Sequence, residues 1–124
     1  MSRRVEKPWG HEEIWAETSR YVGKILFIRK DHRLSLQHHE VKDETIRVAS
    51  GTLSLELEDD EGNIVTEELS AGQSVHIRPG HRHRMRAVTD VEIFEVSTPE
   101  LDDVVRHSDD YGRVDAGPSE PNAS

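Results

Sequence analysis

The chain contains no cysteine. That excludes a disulfide framework, thiolate metal ligation and a cysteine nucleophile, and leaves imidazole, carboxylate and amide groups as the means of holding a metal. Lysine is scarce, occurring only as Lys7, Lys24, Lys30 and Lys42, so most of the 16 basic residues are arginine. Positive charge is itself in the minority: 25 acidic residues bring the formal net charge to -9. No basic stripe stands clear of acids, which argues against a nucleic-acid partner. No apolar run approaches the roughly 20 residues that cross a membrane as a helix. Residues 1–8 carry charges with no apolar region behind them, so they do not read as a secretory signal, and the expected location is cytoplasmic. Helical periodicity is also poor, with no apolar 3.6-residue repeat longer than about two turns.

What remains is a set of short strands. The 124 residues suit one domain. An apolar fraction of 33% beside a charged fraction of 33% would suit a disordered chain, but the apolar residues cluster in short alternating or β-branched runs. These runs, at 24–29, 45–49, 52–58, 65–69, 74–77 and 91–96, predict strands. Turn signals separate them, among them Ser50-Gly51, the acidic stretch 59–63, Ala71-Gly72 and Pro79-Gly80. Residues 99–106 open on proline and acids and close on arginine, which predicts one short C-terminal helix. The expected architecture is an all-β barrel or jelly roll over 1–113, followed by a compositionally disordered tail over 114–124.

Four residues suggest a metal centre. Gln37 and His39 are two apart, so on a strand they share a face, and His38 points the other way. Glu44 follows on the next run, and His83 comes just beyond a Pro-Gly turn, with His81 as its rival. A nitrogen–oxygen donor set of this kind suits one divalent ion of Zn, Mn, Fe, Co or Ni and leaves positions open for water or substrate. Gln37 is the weakest donor and either ligates directly or orients a water.

The spacing of these residues resembles the cupin superfamily. Its first motif has Gly, five residues, His-x-His, three or four residues, Glu, six residues, Gly; here His39, Glu44 and Gly51 match, with Asp31 and Gln37 in place of the first Gly and the first His. Its second motif has Gly, five residues, Pro-x-Gly, two residues, His, three residues, Asn; here Gly72, Gly80 and His83 match, with Arg78 and Ala87 in place of Pro and Asn. A narrower resemblance, to the mannose-6-phosphate isomerase type II cupin, rests on Pro8-Trp9-Gly10, on Gln37 followed by His39, and on the closing Asp102-Asp103 to Arg106 and Tyr111-Gly112-Arg113. This family also occurs as the C-terminal domain of mannose-1-phosphate guanylyltransferases. The resemblance implies a small double-stranded β-helix, a divalent metal, and aldose–ketose isomerisation of a phosphorylated sugar.

Isomerisation needs a group that carries a proton between C1 and C2. Glu95 lies in 91–96 on the face of Ile93, at a barrel mouth or buried in it, where burial would raise its pKa; an ordinary salt bridge is the alternative. Lys24 matches a family lysine and either contacts substrate or caps its strand. Arg33 and Arg106, at family-matching positions, are the candidates for phosphate. Arg82, Arg84 and Arg86 read as a solvated strand face, Trp9 and Trp15 as packing residues, and Tyr111 to Arg113 as a segment folded back on the barrel. The rival readings are a non-catalytic sugar- or acid-binding module and a metal-dependent dioxygenase, which would want an uncharged pocket. Trp9, Ile14, Trp15, Tyr21 and Val22 make residues 1–22 too apolar for a free arm. The segment should pack on a barrel, its own or a second copy's, and the resemblance implies a homodimer.

Overall fold

The computed structural model describes residues 2–114. These form two antiparallel sheets, with no helix among the described residues. In chain order the strands are β1 (Arg3–Lys7), β2 (Gly10–Glu17), β3 (Val22–Ile28), β4 (Leu36–His38), β5 (Glu44–Ser50), β6 (Thr52–Glu58), β7 (Ile64–Ser70), β8 (Ser74–Ile77), β9 (His83–Ala87), β10 (Val91–Ser97) and β11 (Val105–Ser108). One sheet has the order β1-β2-β3-β10-β5-β8 and the other β11-β4-β9-β6-β7.

Alternation along each strand decides what lies between the sheets. On β10, Val91, Ile93, Glu95 and Ser97 are buried, while Glu92, Phe94 and Val96 face out. Leu26 and Ile28 of β3, Ile46 and Val48 of β5, and Leu53 and Leu55 of β6 complete the apolar interior. Each such side chain contributes roughly 1.5–3 kcal/mol on burial. All six strands read from apolar alternation are present. β1, β2, β4, β9 and β11 lie outside those runs, because charged or polar residues break up their apolar ones.

The N-terminal segment packs on its own barrel, through β1 on β2 and β2 on β3. Trp9 is fully buried in the core, as expected. Trp15 is half exposed, its ring lying over Gly23, and with Tyr21, Phe94 and Val96 it gives the outer face of the larger sheet an apolar patch.

The expected helix at 99–106 is not formed. A turn at 101–102 leads instead into β11, where Val105 pairs with His38 and Arg106 with Gln37. A helix of eight residues is marginal by itself. The extended path buries Val104 completely and lets the Asp103 carboxylate accept three backbone N–H bonds from residues 40–42. Of the tail expected at 114–124, Val114 is exposed and residues 115–124 lie outside the described residues. Tyr111 does fold back, packing against the core.

Gly51, the last residue of the first motif, joins β5 to β6 at a φ of 84°. A Cβ there would sit 2.2 Å from the carbonyl oxygen of Asp90. Left-handed backbone at a non-glycine residue costs about 1–3 kcal/mol, and the clash adds to it. Gly51→Ala is expected to lower stability by at least about 2 kcal/mol, read as a reduced urea midpoint with unchanged slope; an unchanged midpoint would contradict it.

Candidate metal centre

Antiparallel pairing gathers the polar inward residues at one end of the barrel. β3 and β5 both flank β10 antiparallel, so the starts of β3 and β5 meet the end of β10. Those positions hold Lys24, Glu44 and Glu95. In the other sheet the end of β4 meets the start of β9, setting Gln37 opposite His83, while Arg106 of β11 pairs with Gln37 from the other side. The inward residues one or two steps further along each strand are aliphatic, so the barrel has a polar end and an apolar end.

His39, Glu44 and His83 come together at the polar end, all buried, with ligand atoms within 4.8 Å of one another. Both histidines aim Nδ1 at a backbone carbonyl: His39 at Asp103, and His83 at His81 at 3.1 Å. Each Nδ1 therefore carries the hydrogen, and each Nε2 presents a lone pair. Both Nε2 atoms are buried without a hydrogen-bond partner, and each lies 3.3 Å from the same Glu44 Oε1. Lone pairs facing a carboxylate oxygen repel one another, and a cation among them, a metal ion or a proton on an imidazole, relieves that repulsion. Ligands about 2.1 Å from one ion at angles of 90–109° stand about 3.0–3.4 Å apart, which matches these separations. The residues thus fit a divalent metal. Gln37 is buried beside them, its Oε1 accepting from Ser35 Oγ at 2.6 Å.

Lys42 is the member that sequence reasoning missed. It is buried, with Nζ 3.4 Å from Glu44 Oε2 and 3.1 Å from Glu95 Oε2, so it joins the His39–Glu44–His83 cluster to Glu95. Its signal was available: it lies two residues before Glu44, in a chain short of lysine. Burial works against the Lys42 ammonium, but Glu95 and Glu44 outweigh it and raise its pKa. Burial likewise opposes the Glu44 carboxylate, yet the Lys42 charge beside it holds it well below its ordinary value. Glu95 goes the other way. Burial and the neighbouring Glu44 charge raise it, against the pull of Lys42 and Lys24.

Lys24 faces inward, 3.4 Å from Glu12, and Lys7 approaches the same Glu12 oxygen at 4.0 Å. With Arg106, also buried, four cations share this interior with the carboxylates of Glu12, Glu44 and Glu95. Arg33 is not among them. It forms a two-pronged pair with Asp110 at 2.7 and 2.8 Å on the surface. His38 points outward to His107 and Glu40, and His81 binds the Glu58 carbonyl, so neither competes for the centre. Arg82 and Arg86 pair with Glu58 and Asp31 on the strand surface, as expected, whereas Arg84 is buried and ties β9 to Leu34 and Ser108.

The family model described as mannose-6-phosphate isomerase C-terminal matches residues 1–109. The chain belongs to this family. Among curated relatives, it is 33% identical over 117 residues to the xanthan biosynthesis protein XanB of Xanthomonas campestris, covering 90% of this chain and 24% of that protein. It is 30% identical over 119 residues to the mannose-1-phosphate guanylyltransferase of Escherichia coli, covering 92% of this chain and 24% of the relative. The chain therefore spans about a quarter of the length of these relatives. Among solved structures, an oxalate decarboxylase variant from Bacillus subtilis superposes with a TM-score of 0.76 at 11% identity, covering 86% of this chain and 30% of that one. An RmlC-like cupin from Shewanella frigidimarina gives 0.68 at 15% identity, covering 80% and 85%. These likenesses establish the cupin fold for this member of the isomerase C-terminal family.

Proposed function

We propose that this domain is a metal-dependent aldose–ketose isomerase acting on a sugar phosphate of the mannose 6-phosphate type. The observation that carries the proposal is the position of Glu95: a buried carboxylate, raised in pKa, joined through Lys42 to the same Glu44 that completes the metal triad. His39, Glu44 and His83 hold the ion, with Gln37 as a fourth donor. When bound, the metal supplies positive charge to the substrate oxygens on which negative charge develops.

The chain's own residues do the rest. Glu95 takes the proton from C2 of the aldose and returns it to C1, while a hydroxyl proton passes between O2 and O1, so atoms and charge balance. Lys42 keeps Glu95 beside Glu44 in spite of their like charge. Arg106 and Lys24, buried at the same end, receive the phosphate. Arg33 would first have to leave Asp110, so its role is assigned to holding that segment. The four cations of this interior speak against the uncharged pocket a dioxygenase would want.

The test is reconstitution with each candidate metal, followed by interconversion assays on aldose and ketose phosphates. Glu95→Gln is expected to lower turnover by roughly 10²–10⁴-fold with metal content unchanged. Full turnover in that variant would remove Glu95 from the mechanism. Stoichiometric metal and sugar binding with no turnover in the parent would identify a binding module instead. Equal affinity for phosphorylated and plain sugar would overturn the substrate class.

A further inference from the structure

We infer that Asp103 is a positioning residue of the metal centre, clamping the loop that carries its ligands from one strap across the barrel end. The inference rests on the metal reading above. Its geometry has two independent parts. The Asp103 carbonyl takes the Nδ1 hydrogen of His39, which leaves the His39 Nε2 lone pair for the ion. The Asp103 carboxylate accepts the backbone N–H of Glu40 at 3.0 Å through one oxygen, and those of Val41 and Lys42, both at 2.8 Å, through the other.

These three amides connect His39 to Glu44. Without Asp103 they have no strand partner, because β4 ends at His38 and β5 begins at Glu44. One residue thus sets the tautomer of the first histidine, the path of the connection, and through Lys42 the charge beside Glu44. Burial disfavours the Asp103 carboxylate, but the three N–H donors more than compensate and hold its pKa low, so it stays an acceptor at neutral pH. Val104, fully buried, anchors the strap from the next position. The clamp is formed between groups 61–63 residues apart in sequence, so it locks the loop between His39 and Glu44 to the segment that leads into β11 rather than to its neighbours in the chain. Outer-shell contacts of this kind orient ligands, and their loss typically costs 10–100-fold in metal affinity.

The experiment compares Asp103→Ala, Asp103→Asn and Asp109→Ala with the parent. Asp109 is a fitting control, since its carboxylate also caps backbone N–H groups, those of Tyr111 and Arg113, but in the following loop. Affinity for Mn²⁺ and Zn²⁺ is measured by competition with a chelating dye. Amide exchange at residues 40–42 and the thermal midpoint are measured on the metal-free protein. Asp103→Ala is expected to bind metal about 10–100-fold more weakly and to lose protection at the three amides. Asp103→Asn keeps one acceptor oxygen, so a loss of intermediate size is expected. Asp109→Ala should match the parent in metal affinity whatever its thermal midpoint.

Affinity within twofold of the parent in Asp103→Ala would overturn the clamp, and so would an equal loss in Asp109→Ala. If Asp103→Ala does not fold, Asp103→Asn decides, and parental affinity there overturns the inference. If the parent itself binds neither metal, the metal reading fails, and the clamp is judged on the exchange data alone: unchanged protection at residues 40–42 refutes it.

Discussion

Replacing His39 or His83 by alanine will abolish stoichiometric binding of a divalent metal, whereas His38→Ala will leave it intact. His39 and His83 each supply one buried lone pair to the position they share with Glu44. Removing either leaves one histidine, Glu44 and the weak amide donor of Gln37 around a cavity, a larger defect than the roughly 10–100-fold caused by losing an outer-shell contact. His38 is the immediate neighbour of His39, but strand alternation turns it outward to His107 and Glu40. Metal analysis of protein purified without chelator reads all three variants. Metal lost in His38→Ala and retained in His39→Ala would mean that the register of β4 is wrong.

Lys42→Met will destabilise the protein by about 3–5 kcal/mol, the cost of removing one partner from a buried ionic group. Methionine keeps the volume but leaves Glu44 and Glu95 facing each other with no cation between them. The defect should depend on pH. Glu95 already has a raised pKa in the folded chain, and losing Lys42 raises it further. A carboxyl group whose folded pKa lies above its unfolded value of about 4.3 takes up a proton preferentially when folded. Its contribution to stability is therefore largest at low pH and falls as pH rises through the folded value. Relative to the parent, Lys42→Met should be least stable above neutrality and recover as pH falls towards 5. Saturating metal should recover stability at neutral pH, by replacing the missing charge beside Glu44. Urea midpoints across this pH range test both points. A difference from the parent below 1 kcal/mol throughout would show that Lys42 does not bridge the two carboxylates.

Much of this centre was legible because it depends on spacing. Gln37 and His39 share a face whatever the rest of the barrel does, and the positions of Glu44, Gly51, Gly72, Gly80 and His83 follow the two cupin motifs. Glu95 was legible from its place on the Ile93 face of β10, although whether that face was a mouth or an interior was not. The misreadings share one cause, which is that long-range contacts overrode local preference. Residues 99–106 have good helix-end chemistry, but pairing with β4 and the bonds of Asp103 outweigh it. Arg84 sits among arginines that pair with surface acids, yet its strand position turns it inward to Leu34 and Ser108.

By itself, the sequence determined the all-β class, the six apolar strands, and the grouping of His39, Glu44 and His83 as candidate metal ligands. These depend on alternation and short spacings, which act within a few residues. Only the tertiary structure decided which ends of the strands coincide. Antiparallel pairing brings the start of β3, the end of β10 and the start of β5 to one level, and so places Lys24, Glu95 and Glu44 in a single buried layer. It also set Lys42 between two carboxylates, left Arg33 on the surface, and ran Asp103 across to the loop of residues 40–42. Those contacts join residues up to 77 positions apart, and no local periodicity records them, because each depends on strand register and on the charge balance of a shared interior rather than on neighbouring residues in the chain.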